Sequence, residues 1–322
     1  AIIRIYIDPF ILYKMNNKSR NYLFIFLLLF TLNTSNAEGL KSTASTILDR
    51  TFDLVQSTLN STLNIFADRY DGDGNTEISI TNNDDTSFGI TTVQPISQTI
   101  DKSDTLFFQG SLHSFENHGQ TRPTINLGIG KRWLSPDKTT ITGANFFYDH
   151  EFKSNHSRAS IGGEYKNSAF ETNANSYWGL SSKRGVTING NTIQEEVLDG
   201  WDVNVKGQVP YYPWAKVTSN YYKWDKSSGS DIKGGKVGVE LQLTSALKLN
   251  AGVQDDNEMS STSFFELNYQ LGVDNKPTSF ARDSVAFRGG QDMSEHLLDK
   301  VERQNKIITS RGTAATMTVV RR

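Results

Sequence analysis

The chain has 322 residues, of which 36% are hydrophobic and 21% charged, and its formal net charge is −2. This balance excludes a strongly basic nucleic-acid binder, and the absence of cysteine excludes disulfide scaffolds, thiol catalysis and cysteine-based zinc sites. A mean hydropathy of −0.47 excludes a bundle of membrane helices, which needs several apolar runs of about 20 residues. It does not exclude a membrane β-barrel, whose strands alternate lipid-facing and lumen-facing side chains.

The segment that begins at Met15 has the features of a secretory signal peptide. Lys18 and Arg20 precede the apolar run of residues 22–32, and small residues lead up to Ala37. We therefore predict a signal peptide at residues 15–37 that is cut after Ala37. The alternative is a membrane anchor, which needs about 20 apolar residues. Residues 1–14 are expected to be upstream read-through and to lie outside the fold.

Residues 38–74 have helical spacing of apolar residues, and they predict a short helical lead-in on the periplasmic side. Ile47, Leu54, Leu59 and Leu63 lie on one stripe among serines and threonines.

From residue 75 to residue 272 the apolar period is two, which is the period of a β-strand. In residues 236–243, for example, Val237, Val239 and Leu241 alternate with polar or small residues. The pattern predicts twelve strands, near residues 75–81, 86–95, 104–113, 123–134, 139–149, 157–166, 169–179, 200–209, 214–224, 235–244, 246–255 and 262–272. Alternate connections are short and turn-like, whereas most of the others are longer and polar, as in outer-membrane barrels with periplasmic turns.

The fold class that these features favour is all-β, a twelve-stranded antiparallel transmembrane barrel. The alternative is a soluble periplasmic β-sandwich, whose strands also alternate. Aromatic residues at strand ends favour the barrel, because they would form girdles at the two membrane interfaces. They are Trp133, Tyr148, Tyr165, Trp178, Trp201, Tyr211, Tyr212, Trp214, Trp224 and Tyr269.

Several short motifs, in order along the chain, resemble the β-domain of the intimin/invasin family, the inverse autotransporters. They are Asn126-Leu-Gly-Ile-Gly-Lys-Arg-Trp133, Ser135-Pro136, Gly143-Ala-Asn-Phe-Phe-Tyr-Asp149, Gly162-Gly-Glu-Tyr165, Gly200-Trp-Asp202 and Val209-Pro-Tyr-Tyr-Pro213. The resemblance covers residues 75–308. It implies a twelve-stranded outer-membrane barrel whose C-terminal continuation passes back through the pore to display an extracellular passenger.

Two departures from the family pattern affect what can be expected of this chain. The residues before the barrel do not resemble a peptidoglycan-binding module, and those after it do not resemble immunoglobulin-like domains, which is expected either of a fragment of a longer adhesin or of a minimal barrel with a vestigial passenger. We therefore expect residues 273–322 to hold a linker helix and the start of a short or truncated passenger. A host or cell-surface ligand is expected only if a passenger exists.

The residues after the last strand predict a pore linker. Leu297, Leu298, Val301 and Ile308 form a helical stripe, and residues 301–307 resemble the post-barrel linker of the family. The predicted pore-linker residues are Leu297, Val301, Arg303, Asn305 and Ile307. The alternative is a periplasmic helix that never enters the pore.

Charged residues on the polar face of the strands predict the lumen lining. They are Arg132, Arg158, Glu164, Asp202, Lys206, Lys216, Lys236, Glu240, Lys248 and Glu266. We expect these charges to hold the linker after export. A narrow outer-membrane pore without a passenger is the rival function, since it would have the same lining.

Catalysis is not expected, because the sequence contains no recognisable nucleophile motif, no HExxH and no phosphate-binding loop. No metal or other cofactor is predicted either. The expected partners are outer-membrane lipid and, during biogenesis, the barrel-assembly machinery and periplasmic chaperones.

Overall fold

The computed structural model of the protein describes residues 74–83, 85–116, 120–188, 191–271, 273 and 276–311. The signal peptide, its cleavage at Ala37, nearly all of the lead-in helix and the expected passenger residues 312–322 lie outside these residues. They stay predictions.

Twelve strands close into an antiparallel barrel, so the predicted fold class is confirmed and the sandwich alternative is wrong. Each strand pairs with its neighbours along the chain, and the first pairs with the last. The barrel strands are β1 (Asn75–Asn83), β2 (Asp85–Gln98), β3 (Asp104–Glu116), β4 (Thr121–Leu134), β5 (Thr140–Glu151), β6 (His156–Asn167), β7 (Phe170–Gly179), β10 (Asp199–Val209), β11 (Tyr212–Asp225), β12 (Ile232–Gln242), β13 (Leu247–Asp256) and β14 (Thr262–Leu271).

A second, three-stranded sheet was not predicted. It contains β8 (Arg184–Ile188), β9 (Asn191–Val197) and β15 (Thr309–Arg311), in the order β15-β9-β8. The hairpin β8–β9 lies in the connection between β7 and β10, which the sequence analysis treated as one long loop. Its signal is the dipeptide Asn189-Gly190, which favours a two-residue hairpin turn.

Some barrel strands extend beyond the predicted ends. The prediction ended β2 at residue 95, which is a proline and has no amide hydrogen for a ladder bond. The strand instead continues to Gln98 through a register shift between Pro95 and Ser97. Such a bulge lets the ladder resume after the residue that cannot donate.

The outward face of the strands is apolar, as a surface in contact with lipid acyl chains must be. Large side chains on this face are about half exposed, among them Ile129, Phe146, Ile161, Val237, Val253 and Phe265. The predicted aromatics Trp133, Tyr148, Tyr165, Trp178, Trp201 and Tyr212 are exposed on the surface as well. Trp224 corrects the girdle prediction, because it is only 2% exposed and packs inside the barrel.

The two ends of the barrel differ, and we name them by their connections. The turn end carries the short turns, such as residues 135–139, and the loop end carries the hairpin β8–β9. In the turn at residues 135–139, Asp137 accepts hydrogen bonds from Ser135 Oγ and from the hydroxyl and amide of Thr139. These bonds lower the pKa of the Asp137 carboxyl, because they favour its charged form.

The predicted C-terminal linker helix is wrong. Between residues 276 and 308 the only helical element is a single 3-10 turn at Ser294–His296, and residues 301–308 are extended without regular secondary structure. No helix in the described part of the chain is long and apolar enough to cross a membrane.

Replacing Val237 by lysine tests the outward face. Val237 lies near the middle of β12 and is 56% exposed, so lysine there would place a charge near the bilayer midplane. We expect V237K to lower the free energy of unfolding by roughly 2–4 kcal/mol. Urea titration read by heat-modifiable gel mobility measures the effect. V237L is the control, and equal unfolding midpoints for V237K and V237L would contradict the assigned face.

Candidate functional site

A segment that we call the rim segment, residues 276–293, leads from β14 across the turn end to the inside of the barrel. Its backbone bonds to the turns it passes: Thr278 N donates to Leu243 O (3.1 Å), Asp283 N to Tyr211 O (2.7 Å) and Met293 N to Lys138 O (2.8 Å). These contacts follow the rim of the barrel and deliver the chain to the lumen beside the β4–β5 turn.

Residues 297–308, the linker, then run through the lumen from the turn end to the loop end. The linker starts at an apolar contact in which Met293 and Leu297 pack against Leu134 and Ile141. All four side chains are at most 5% exposed. This contact fixes where the linker enters.

Arg132 of β4 holds the first linker residues by their main chain. Its Nη1 donates to the carbonyl oxygens of Leu297 and Asp299, both at 2.7 Å. The other face of the guanidinium pairs with Glu164, which Lys166 also contacts at 3.2 Å. The carboxylate balances the guanidinium charge. An arginine can therefore be fully buried here and still donate hydrogen bonds to uncharged carbonyl groups.

The middle of the linker packs on aromatic rings. Val301 contacts Val93, Phe107 and Phe147, and its amide donates to Gln109 Oε1 at 2.8 Å. The two rings lie over Gly130 and Gly128 of β4, where an added Cβ would come within 2.3 Å of a ring carbon. Glycine at these positions lets large rings lie close to the wall.

Arg303 carries the central ion pair between the linker and the wall. Its guanidinium donates two parallel bonds of 2.8 Å to both oxygens of Asp149 on β5, and a third bond to Ser160. Asp149 also pairs with Arg158 of β6, which in turn donates to the carbonyls of Gln304 and Lys306. One buried carboxylate therefore anchors both a wall arginine and a linker arginine.

Two further linker charges meet partners of opposite sign. Lys300 Nζ contacts Glu77 at 2.5 Å and Glu266 at 3.4 Å. Glu302 accepts from Lys206 at 2.6 Å, and Lys206 also contacts Glu240 at 3.0 Å. The charges of Lys300 and Glu302 are thus each balanced by wall residues of opposite sign.

At the loop end the chain leaves the lumen as strand β15. Leu198 N donates to Ile308 O at 3.0 Å, and Thr309 to Arg311 pair antiparallel with residues 195–197 of β9. Glu195 is fully buried there and accepts from Arg122, His156 and Arg311. The hairpin and Glu195 clamp the departing chain at the barrel mouth.

The ten residues predicted to line the lumen all lie on the inner side of the wall. Arg132, Arg158 and Glu164 contact the linker directly or through a partner, as described above. Asp202 accepts from Asn175 and Tyr177. The others, with Asp202, line a polar cavity beside the linker: Lys206, Lys216, Lys236, Glu240, Lys248 and Glu266.

The five predicted pore-linker residues lie along the path. Leu297, Val301 and Ile307 are buried, Arg303 pairs with Asp149, and the Asn305 carbonyl accepts from Asn126 at 3.0 Å. Asp149 and Asn126 belong to the family motifs but were not predicted as lumen contacts, and neither were Gln109 and Glu195. The alternation of inward and outward side chains along each strand could have identified the first three, since they lie on the same inward face as the predicted lumen residues. Glu195 lies in the hairpin that was not predicted.

A family comparison decides what kind of barrel this is. The family model described as inverse autotransporter, beta-domain, matches residues 29–305. The chain belongs to the inverse autotransporter family.

Named relatives agree with this assignment. The inverse autotransporter adhesin YeeJ of Escherichia coli K12 is 36% identical over 111 residues, which are 34% of this chain and 4% of that protein. Intimin of Escherichia coli O127:H6 is 27% identical over 201 residues, which are 58% of this chain and 21% of intimin. The chain therefore spans only a small part of the length of these relatives.

One solved structure, from work on the in-meso crystallization of membrane proteins, has the same fold. It superposes with a TM-score of 0.61 at 19% identity and covers 74% of this chain and 99% of its own. Family and closed barrel together fit an outer-membrane translocator.

The family is not enzymatic, and one arrangement that suggests catalysis has a simpler explanation. His156 lies 3.1 Å from Ser181 Oγ and 3.1 Å from Glu195, in the order of a hydrolase triad. Glu195, however, is already paired with Arg122 and Arg311, and His156 is fully buried. These contacts serve the clamp at the barrel mouth. Among the described residues no group of three or more acidic or histidine side chains could hold a metal ion.

Substitutions of Asp149 and Arg303 should lower the free energy of unfolding by different amounts. R303Q leaves Asp149 paired with Arg158, whereas D149N leaves two buried arginines without their carboxylate. We expect D149N to destabilise the barrel by about 3–5 kcal/mol and R303Q by less, because an uncompensated buried charge is costly. Urea unfolding of both variants measures the order. A larger loss in R303Q would show that the pair with Arg158 is not intact without the linker arginine.

Proposed function

We propose that this protein anchors and exports its own C-terminal segment at the bacterial cell surface. The observation that supports this most directly is the linker, which fills one side of the lumen and leaves it at the loop end as strand β15. The family assignment supports the same function, since a relative named as an inverse autotransporter adhesin is 36% identical over 111 residues.

The proposed orientation has the turn end in the periplasm and the loop end outside. Short turns lie on the periplasmic side of outer-membrane barrels and longer loops on the outer side. With an even number of strands, β1 starts and β14 ends on the same side, the periplasmic one. A chain that continues after β14 must therefore thread the lumen to reach the surface, and the rim segment and linker take that route.

The proposed mechanism has three steps. The barrel-assembly machinery and periplasmic chaperones bring the chain to the membrane, where the barrel inserts. The segment after β14 leaves as a hairpin through the lumen. The wall then holds the linker in its final register through Arg132, Asp149 and Arg158, and β9 pairs with the emerging strand.

Surface binding by any exported passenger is part of the proposal and comes from the relatives, not from the barrel. The lumen contacts explain anchoring and export alone. A narrow pore is the alternative function, since a polar cavity of about 720 Å³ lies beside the linker.

The orientation can be tested with an epitope tag placed after Arg322 in a chain that starts at Met15. We expect antibodies to reach this tag on intact cells. A tag inserted at Gly229, in the loop between β11 and β12, is the surface control, and one inserted at Asp137 should react only after permeabilisation. A folded barrel with a hidden C-terminal tag and a reactive tag at Gly229 would contradict export.

Charge reversal tests whether lumen charges retain the linker. E266K faces Lys300, and E240K faces Lys206, the partner of Glu302. We expect both variants to make a cysteine introduced at Val301 react several-fold faster with a thiol reagent, because the linker leaves its site more often. The chain has no natural cysteine, so this thiol is unique. An unchanged labelling rate in both variants would contradict the proposal that these charges retain the linker.

A further inference from the structure

The linker does not fill the lumen evenly. Most of its wall contacts are to β3 through β7 and β10, and on the opposite side Lys300 contacts Glu77, Glu266 and Asn268. The polar cavity of about 720 Å³ lies mainly on that opposite side, against β10 to β14 and β1. Its lining of lysines and glutamates is suited to hold water.

The cavity extends along the barrel between two different ends. At the turn end it is lined by exposed residues of the rim segment, among them Ser279, Arg282 and Gln291. At the loop end it is lined by Tyr222 and Trp224, which are 6% and 2% exposed. A polar path thus begins at one mouth of the barrel and ends under an apolar layer at the other.

That layer is a compact cluster, which we call the cap. Tyr177, Leu198, Tyr222 and Trp224 form its buried core, and Ile232 and the linker residue Ile308 pack against it. The Tyr177 and Trp224 rings are 5.2 Å apart, and an added Cβ at Gly200 would come within 2.4 Å of the Trp224 ring. The Trp224 ring therefore lies close to the β10 backbone at Gly200.

Hydrogen bonds hold the two tyrosines of the cap in place. Tyr177 Oη donates to Asp202 Oδ2 at 2.8 Å, and Tyr222 Oη donates to Asp256 Oδ2 at 2.9 Å. Tyr177 Oη also accepts from the linker amide of Gln304. The cap is thus fixed to the wall and completed by the linker, since Ile308 belongs to the linker.

We infer that the cap is a gate that closes a water-filled ion path beside the linker. An apolar constriction blocks ions because water leaves it and ions cannot shed their hydration there. The linker stays bound to the wall, and the cap makes the lumen impermeable. The latent activity of the barrel is conduction of small ions past a linker that stays bound. This inference needs a membrane barrel and does not depend on export of the C-terminus.

Planar-bilayer recordings of the purified full chain in potassium chloride test the gate. We expect the wild-type chain to be nearly silent and the double variant Y222A/W224A to conduct at least about tenfold more, because the dewetted layer is gone. The control is W178A/W201A, which removes two aromatic rings of the outer surface and should stay silent. Heat-modifiable gel mobility confirms folding of each variant.

A cysteine at Lys236 locates the conducting path. In Y222A/W224A, a cysteine at position 236 (K236C) lines the cavity, so its reaction with a charged thiol reagent should reduce the current. A cysteine at the buried Val301 should react slowly with the same reagent. A folded Y222A/W224A barrel that stays silent, or a wild-type chain that conducts equally well, would overturn the gate. Current that K236C modification leaves unchanged would overturn the path beside the linker.

Discussion

The structure depends on one constraint: a polypeptide that crosses the lumen in extended form must find hydrogen-bond partners for its own main chain. A helix satisfies these groups internally, but an extended chain cannot. The wall supplies the partners. Arg132, Arg158, Asn126 and Asn175 donate to linker carbonyls, and Gln109 and Tyr177 accept from linker amides. These wall residues come from four strands, β3, β4, β6 and β7, so the site exists only when these strands are assembled side by side.

The same constraint explains the buried charges. An arginine can reach two carbonyls at once and keep a carboxylate on its other face, which a neutral side chain cannot do. Arg132 with Glu164 and Arg158 with Asp149 both have this arrangement. Paired burial of this kind adds little net stability compared with an apolar core. Its value here is that it provides strong donors at fixed heights along the barrel.

The barrel was predictable from the sequence because its signal is local. A period of two over some 200 residues defines the strands. Within each strand, the alternation of polar and apolar residues shows which side chains face the lumen and which face the lipid. The linker conformation was not predictable in this way. The spacing of Leu297, Val301 and Ile308 fits a helix, but in the lumen these residues meet three separate partners: Leu134 and Ile141, then Phe107 and Phe147, then the cap. Apolar contacts spaced along the barrel lumen give the same residue pattern as one face of a helix. The two conformations can be told apart only when the structure of the surrounding barrel is known.

The charge order of the linker also sets its position along the barrel. If the chain moved two residues toward the turn end, Glu302 would take the place of Lys300 and face Glu77 and Glu266. If it moved two residues toward the loop end, Lys300 would take the place of Glu302 and face Lys206. Either shift brings like charges together in a partly buried site and separates Arg303 from Asp149. The observed register is therefore bounded on both sides by repulsion, and at this register alone Ile308 reaches Trp224 and Tyr222 to complete the cap.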